Sequence, residues 1–173
     1  VLGVIWNSIY ARDGLLNEAL RLIGLEDLAR SWLLMPPVNT FAMIGTFTWG
    51  ITGINMILFL VGLQTISKEI VEAAKIEGAS EWKIFTRIKL PLLGPITTIV
   101  VTMSVIGSFT TFDLVWVMTK GGPYGSSETL AVSMFNESFN LFHVGTGAAI
   151  AIVLSLCTLG FSILYLRTVF KRE

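Results

Sequence analysis

The sequence predicts an all-α protein built as a polytopic membrane helix bundle, on three observations. Hydrophobic residues make up 53% of the 173-residue chain and charged residues 14%, against about 25% charged in soluble domains, and the mean hydropathy is +0.74. Three stretches of 21 to 23 residues carry no charge, each long enough to cross the hydrocarbon core of a bilayer as a helix. Between the first two lies a charged, helix-prone island, EAAKIEGASEWKIFTRIKLP, from Glu72 to Pro91. The formal net charge is zero, so composition suggests neither a nucleic-acid partner nor a basic patch for a membrane surface.

Residues 1–10, VLGVIWNSIY, are apolar but too short to cross about 30 Å of hydrocarbon, and are expected to be the end of a transmembrane helix. The chain opens without an initiator Met, a cationic n-region or a cleavage site, so it is expected to be the C-terminal portion of a longer protein. Residues 11–40 read as a loop. Within it Leu15, Leu16, Ala19, Leu20 and Ile23 recur as on an amphipathic helix able to lie at the membrane interface, ending near Gly24, and Pro36-Pro37 punctuate the end.

Residues 41–63, Phe41 to Leu63, form the first full span. Gly45, Gly50 and Gly53, with Thr46, Thr48, Thr52 and Asn55, let a neighbouring helix or a solute come close. Tight helix packing is the better account of the glycines. Asn55 is harder to explain that way, because an amide at membrane depth is costly unless it finds a partner or lines a wet cavity.

Residues 64–90 read as two short helices with a bend between them. Ser67 is a candidate N-cap with Glu69 in the first turn, and Ile66, Ile70, Ala73 and Ala74 share one face. Gly78 breaks this helix, and Ser80 caps a second carrying Trp82, Phe85 and Ile88 or Lys89. Pro91 lacks a backbone donor and biases Leu90 away from helix, so a new element is expected to start there. Small residues beside an acid on an exposed helix suit insertion into a partner's cleft, although an ordinary loop has the same composition.

Residues 91–112 form the second span, of which Leu92 to Phe112 is uncharged. Ser104, Ser108 and Thr111 fall at i, i+4 and i+7 and give one face a polar stripe that Asp113 extends. Each hydroxyl can instead bond back to a carbonyl one turn earlier. In loop 113–143, Gly121-Gly122-Pro123 dictates a turn, and Ser127 can cap a short helix carrying Ala131, Phe135 and Phe139. His143 has no second ligand at metal spacing and reads as a loop histidine, and the Asn136-Glu137-Ser138 triplet is given no role.

Residues 144–166 are the last span, with Gly147, Ala151 and Ser155 every fourth residue as in helices that approach closely. Cys157 cannot form an internal disulfide and reads as a buried structural thiol. A basic tail, 167–173, follows. The island and tail hold eight basic residues, Lys68, Lys75, Lys83, Arg87, Lys89, Arg167, Lys171 and Arg172, and the opposite side four, Arg12, Arg21, Arg30 and Lys120. This asymmetry places segment 64–90 and the C-terminus in the cytoplasm and makes 11–40 and 113–143 external loops.

The island resembles the EAA loop of permease subunits of binding-protein-dependent ABC importers. Glu72, Ala73, Ala74, then Gly78 after three residues, Ile88 after nine more, and Leu90-Pro91 fill every position of that pattern. The resemblance implies a type I importer permease fold, here three full transmembrane helices plus a partial one, in a bacterial or archaeal cytoplasmic membrane. It implies that 64–90 is a coupling helix docking on a cytoplasmic ATPase. Its partners would be a second homologous permease, an ATP-binding subunit dimer and an external solute-binding protein, with ATP and Mg2+ on the ATPase and no cofactor here. Gly121-Gly122-Pro123 followed by Glu128-Thr129-Leu130 is similar to the maltose- and glycerol-phosphate-type first subunit and points to a carbohydrate substrate. In such permeases Ser104, Ser108 and Thr111, with Thr52 and Asn55 of the preceding span, fall where the translocation path would be lined.

No G-x-x-x-x-G-K-[ST] loop, Ser/His/Asp arrangement or pair of metal ligands occurs in the sequence, so this chain is not expected to be an enzyme or to bind a metal. An ion-gradient-driven secondary transporter or channel is the alternative, predicting an intramembrane ionisable pair. A membrane anchor without transport would leave the stripe at Ser104, Ser108 and Thr111 without purpose.

Overall fold

The computed structural model describes residues 1–170. Lys171 and Arg172, counted above toward the basic side, lie outside the described residues. Every regular element among those described is helical. Two compact units emerge: residues 1–50 with 106–161, and residues 51–105 with those from 162 onward. Three long helices supply residues to both: α3 (Val38–Gln64), α7 (Gly94–Thr110) and α10 (Val144–Phe170).

The first unit also holds α1 (Leu2–Tyr10), α2 (Leu15–Leu22), α8 (Asp113–Met118) and α9 (Leu130–Phe135). Its core gathers Tyr10, Ala42, Met43, Val115, Met118 and Val132, with Trp6, Trp32 and Trp116 packed against it. Phe112, Trp116 and Phe135 form a triangle with ring centroids 4.8 to 5.5 Å apart, within the range where aromatic pairs attract.

Two buried asparagines tie the loops of this unit to its helices. Asn17, 1% exposed, donates from Nδ2 to the carbonyls of Ala11, Arg12 and Arg30, and its Oδ1 accepts from the Arg30 amide and the Trp32 indole at 3.2 and 2.8 Å. Asn39, fully buried, donates to Gly122 O at 3.1 Å and Ser126 Oγ at 2.7 Å, while its Oδ1 accepts from the Thr40 amide. Both amides are satisfied, as burial requires.

Helix α2 divides the stripe expected of it. Leu16 packs on the core and Leu20 is half-buried, whereas Leu15, Ala19 and Ile23 are exposed, because Asn17 takes the inward position next to Leu16. Ser127 is not a cap. It is buried, donating to Gly122 O at 2.7 Å and sharing a hydrogen bond with Thr119 at 2.8 Å. Thr129 caps α9 instead, accepting from the Val132 amide. Cys157 is exposed rather than buried, since α10 packs little on this face. In the stripe Gly147, Ala151, Ser155 only Gly147 is buried, with the Ser138 hydroxyl where its Cβ would stand.

Two helices are long and apolar enough to cross a membrane: α3, with mean hydropathy 1.6, and Val144–Val169 of α10, at 2.3. The third candidate is broken. Glu81–Leu92 and Gly94–Thr110 meet at a bend of 65°, so the helix after the island starts at Gly94 and ends at Thr110, inside the expected 91–112. In the second unit Gly62 of α3 faces Leu93 and Ile96, and a Cβ there would stand 2.7 Å from Ile96. Only a residue without a side chain allows this approach.

Candidate functional site

The island folds as α4 (Lys68–Ile76), a turn at Gly78, and a second helical stretch from Glu81 to Leu92. Ser67 caps α4, accepting from the Glu69 amide at 3.2 Å, and Ser80 caps α5 (Glu81–Ile84), accepting from Lys83 at 3.3 Å. Gly78 has φ +78°. Its amide donates to Lys75 O and the Ala79 amide to Ala74 O, each at 3.0 Å, which is the Schellman closure of a helix and requires a left-handed residue.

Pro91 does not begin a new element. Phe85–Lys89 form a π turn in which the Leu90 amide reaches back to Phe85 O, α6 (Leu90–Leu92) continues it, and ordinary pairing resumes with Leu93 donating to Lys89 O. A π turn leaves a surplus carbonyl where the pairing returns to normal. Proline, lacking a donor, falls at that point, and Leu90 keeps helical angles.

Ala74, 8% exposed, and Ile84, fully buried, form the inside of this segment. Ala73 and Glu72 face outward, as do Gly78, Leu90 and Pro91, and Ile88 is half-buried. The adjacent alanines therefore split between inside and surface rather than sharing a face. Ile70, Ile76, Trp82 and Phe85 are exposed, with the last two rings 5.9 Å apart. Lys75 and Glu81 pair across the turn at 2.7 Å. Their hydrogen bond, and then their mutual charge, hold the Lys75 ammonium above and the Glu81 carboxyl below their ordinary values.

The first unit carries a cavity of about 330 Å3 lined by Thr40, Met43, Phe47, Ser108, Thr111 and Thr129 among others. Thr111 lies just beyond α7, where the helix breaks before α8. Its hydroxyl bonds back to Gly107 O at 2.6 Å, and its carbonyl accepts from Thr129 at 3.0 Å. Of the proposed path residues, Ser108 and Thr111 thus share one wall. Thr52, Asn55 and Ser104 belong to the second unit, where Thr52 is exposed and Asn55 and Ser104 are half-buried. Sequence reasoning missed Thr40, Asn39, Ser126 and Thr129, because their partners lie 18 to 87 residues away and no local spacing reports such pairs.

His143 pairs with Glu137 through Nδ1 and Oε2 at 3.0 Å. Among the described residues no group of three His, Cys, Asp or Glu could hold a metal ion.

The model of the binding-protein-dependent transport system inner membrane component family matches residues 2–172. The chain belongs to that family. It is 35% identical over 163 residues to the trehalose/maltose transport system permease protein MalF of Thermococcus litoralis, covering 94% of this chain and 54% of that protein. It is 37% identical over 160 residues to the osmoprotective compounds uptake permease protein GgtC of Synechocystis, covering 88% of this chain and 56% of that one. The fold matches a chain of a bacterial ABC transporter that imports the acidic polysaccharide alginate, with a TM-score of 0.86 at 18% identity, over 98% of this chain and 59% of that one. That likeness shows the importer permease fold. The chain spans about 50 to 60% of the length of these relatives.

Proposed function

We propose that this chain forms the membrane-spanning permease part of an ATP-driven ABC importer for a carbohydrate, of di- or oligosaccharide or glycerol-phosphate type, delivered by an external solute-binding protein. The island carries the reading: two capped helices closed around Gly78, exposing apolar side chains between two spans. Glu72, Ala73, Ala74, Gly78, Ile88, Leu90 and Pro91 form the segment that docks on a cytoplasmic ATPase, which holds the ATP and Mg2+. Support for a sugar comes from the trehalose/maltose name of one relative and the alginate substrate of the structural match.

Nucleotide closes the ATPase pair, the docked helices move with it, and the spans switch between inward- and outward-facing states. Only differential binding of nucleotide to the two states can drive that switch. A second homologous permease completes the pathway, lined on this chain by Ser108 and Thr111 and, in the other unit, by Ser104, Thr52 and Asn55. The island and the C-terminus face the cytoplasm of a bacterial or archaeal cell.

The test is to tag the full-length protein, solubilise it gently from its own membrane, and identify and count what co-purifies. An ATPase in two copies with a second permease is the expected result. Recovery alone, with no nucleotide-binding partner captured by cross-linking from the exposed position of Ala73, would overturn the reading in favour of an ion-gradient-driven transporter.

A further inference from the structure

Segment 11–35 gathers three arginines around one concavity. Arg12, Arg21 and Arg30 line one concavity of about 450 Å3 together with Asn17, Glu26 and Met35. No ion pair joins any of the three arginines to a carboxylate among the described residues, although Asp13, Glu18, Glu26 and Asp27 are exposed nearby. The guanidiniums rest on the protein by weak or neutral contacts: Arg21 reaches Arg12 O at 3.5 Å, Arg30 Nε donates to Leu28 O at 3.1 Å, and the Arg30 guanidinium sits 5.6 Å from the Trp32 ring. Asn17 fixes the wall, because it binds the backbone of both Arg12 and Arg30.

The three arginines outnumber the one carboxylate of the concavity, Glu26, and the same segment exposes apolar side chains. Leu22 is 87% and Ile23 68% exposed, directly after Arg21, and Leu15, Leu25, Leu28 and Met35 are exposed as well. A soluble anion would use the arginines and leave these side chains in water. A phospholipid uses both, with its phosphate on the guanidiniums and its acyl chains along the leucines.

We propose that this concavity binds an anionic phospholipid headgroup while Leu22, Ile23 and Leu25 rest in the acyl region. Naming the external leaflet rests on the proposed importer topology; the site itself does not. The experiment uses the full-length protein in vesicles of phosphatidylglycerol and phosphatidylcholine, with retained lipid counted by native mass spectrometry. Wild type is expected to keep phosphatidylglycerol selectively. The R12Q/R21Q/R30Q variant is expected to bind it on the order of 100-fold more weakly, given the contribution of each basic residue near a lipid surface. The R12K/R21K/R30K variant, which keeps the charge, should retain most of the binding and shows that the loss is not misfolding.

Equal retention of both lipids by wild type, or unchanged selectivity in the glutamine variant, would overturn the proposal. Saturation by inorganic phosphate without lipid selectivity would overturn it too, in favour of a soluble anion. A photoreactive phosphatidylglycerol exchanged into the external leaflet should label segment 11–35. Labelling only from the opposite leaflet would sink the importer topology and leave the lipid site standing.

Discussion

The loop region around Asn17 and Asn39 and the island from Ser67 to Leu92 are both short helices joined by turns, yet they are held together differently. The loop region depends on distant partners. Asn39 reaches residues 83 and 87 positions away, and an aromatic and aliphatic core lies beneath. The island depends on its own neighbours: two serine caps, one Schellman turn, one exposed ion pair, and a core of Ala74 and Ile84. A segment with so little buried is expected to open or shift at low cost. It is expected to be displaced as a piece without unfolding what lies beyond it.

The largest effect expected from that difference is at Asn17. Asn17→Ala strands the Trp32 indole and the amide and carbonyl of Arg30, while Ala11 O keeps the Gly14 amide and Arg12 O keeps Arg21, a loss on the order of 3 kcal/mol for part-buried groups left unpaired. Thermal unfolding of the purified protein in detergent should show a midpoint lower by several degrees. Asn17→Asp should not rescue it, since a carboxylate cannot donate to those carbonyls. An unchanged midpoint in both variants would remove the claim that this amide organises the loop.

Gly78→Pro should do the opposite. Proline cannot reach φ +78°, and it deletes the amide that donates to Lys75 O. With so little of the island buried, the protein should still insert and melt near the wild-type midpoint. In the reconstituted complex, ATP hydrolysis should continue while uptake falls to background. Gly78→Asn, which tolerates the left-handed conformation, should keep most uptake, because no atom lies within 4 Å of a Cβ at this position. Normal uptake by the proline variant would sink the coupling role.

These two contrasts also explain what the sequence disclosed. Ser67, Ser80 and Gly78 act on residues two to five positions away, so cap and turn chemistry located both helices and their break. Phe41 to Leu63 and Val144 to Leu166 are legible from length and apolarity, and each helix extends a few residues beyond those bounds. Asn17 and Asn39 were invisible because a buried amide looks like any polar loop residue until its distant partners are known. Pro91 misled for a local reason. The π turn before it absorbs its missing donor, and nothing in residue spacing announces a π turn. Helical periodicity puts Ser108 and Thr111 on one stripe, and both line the same cavity although Thr111 lies beyond the helix end.

A smaller effect is expected at the caps. Ser67→Ala and Ser80→Ala should each cost about 1 kcal/mol of local helix stability. Hydrogen exchange of amides 68–71 and 81–84 should accelerate, with no change at α8 or α9. Acceleration spreading to those helices would mean that the island is not independent.

The smallest effect is expected at Lys75 and Glu81, whose side chains are 52% and 70% exposed. Such pairs are largely cancelled by solvent screening and side-chain entropy. Glu81 is held below its ordinary value of 4.5, so its contribution is complete above that pH and fades as pH falls through the lowered value. Lys75 is held above its ordinary 10.5, so its contribution is complete below that pH and fades only as pH rises through the raised value. Between these limits the pair stays charged, and coupling should show no pH dependence from it between about pH 6 and 9. The exchanged variant K75E/E81K should therefore transport as wild type does, and K75E alone, which sets two carboxylates together, should reduce uptake mainly at low salt. Equal loss in the single and exchanged variants would mean that these side chains meet a charged partner surface instead of each other.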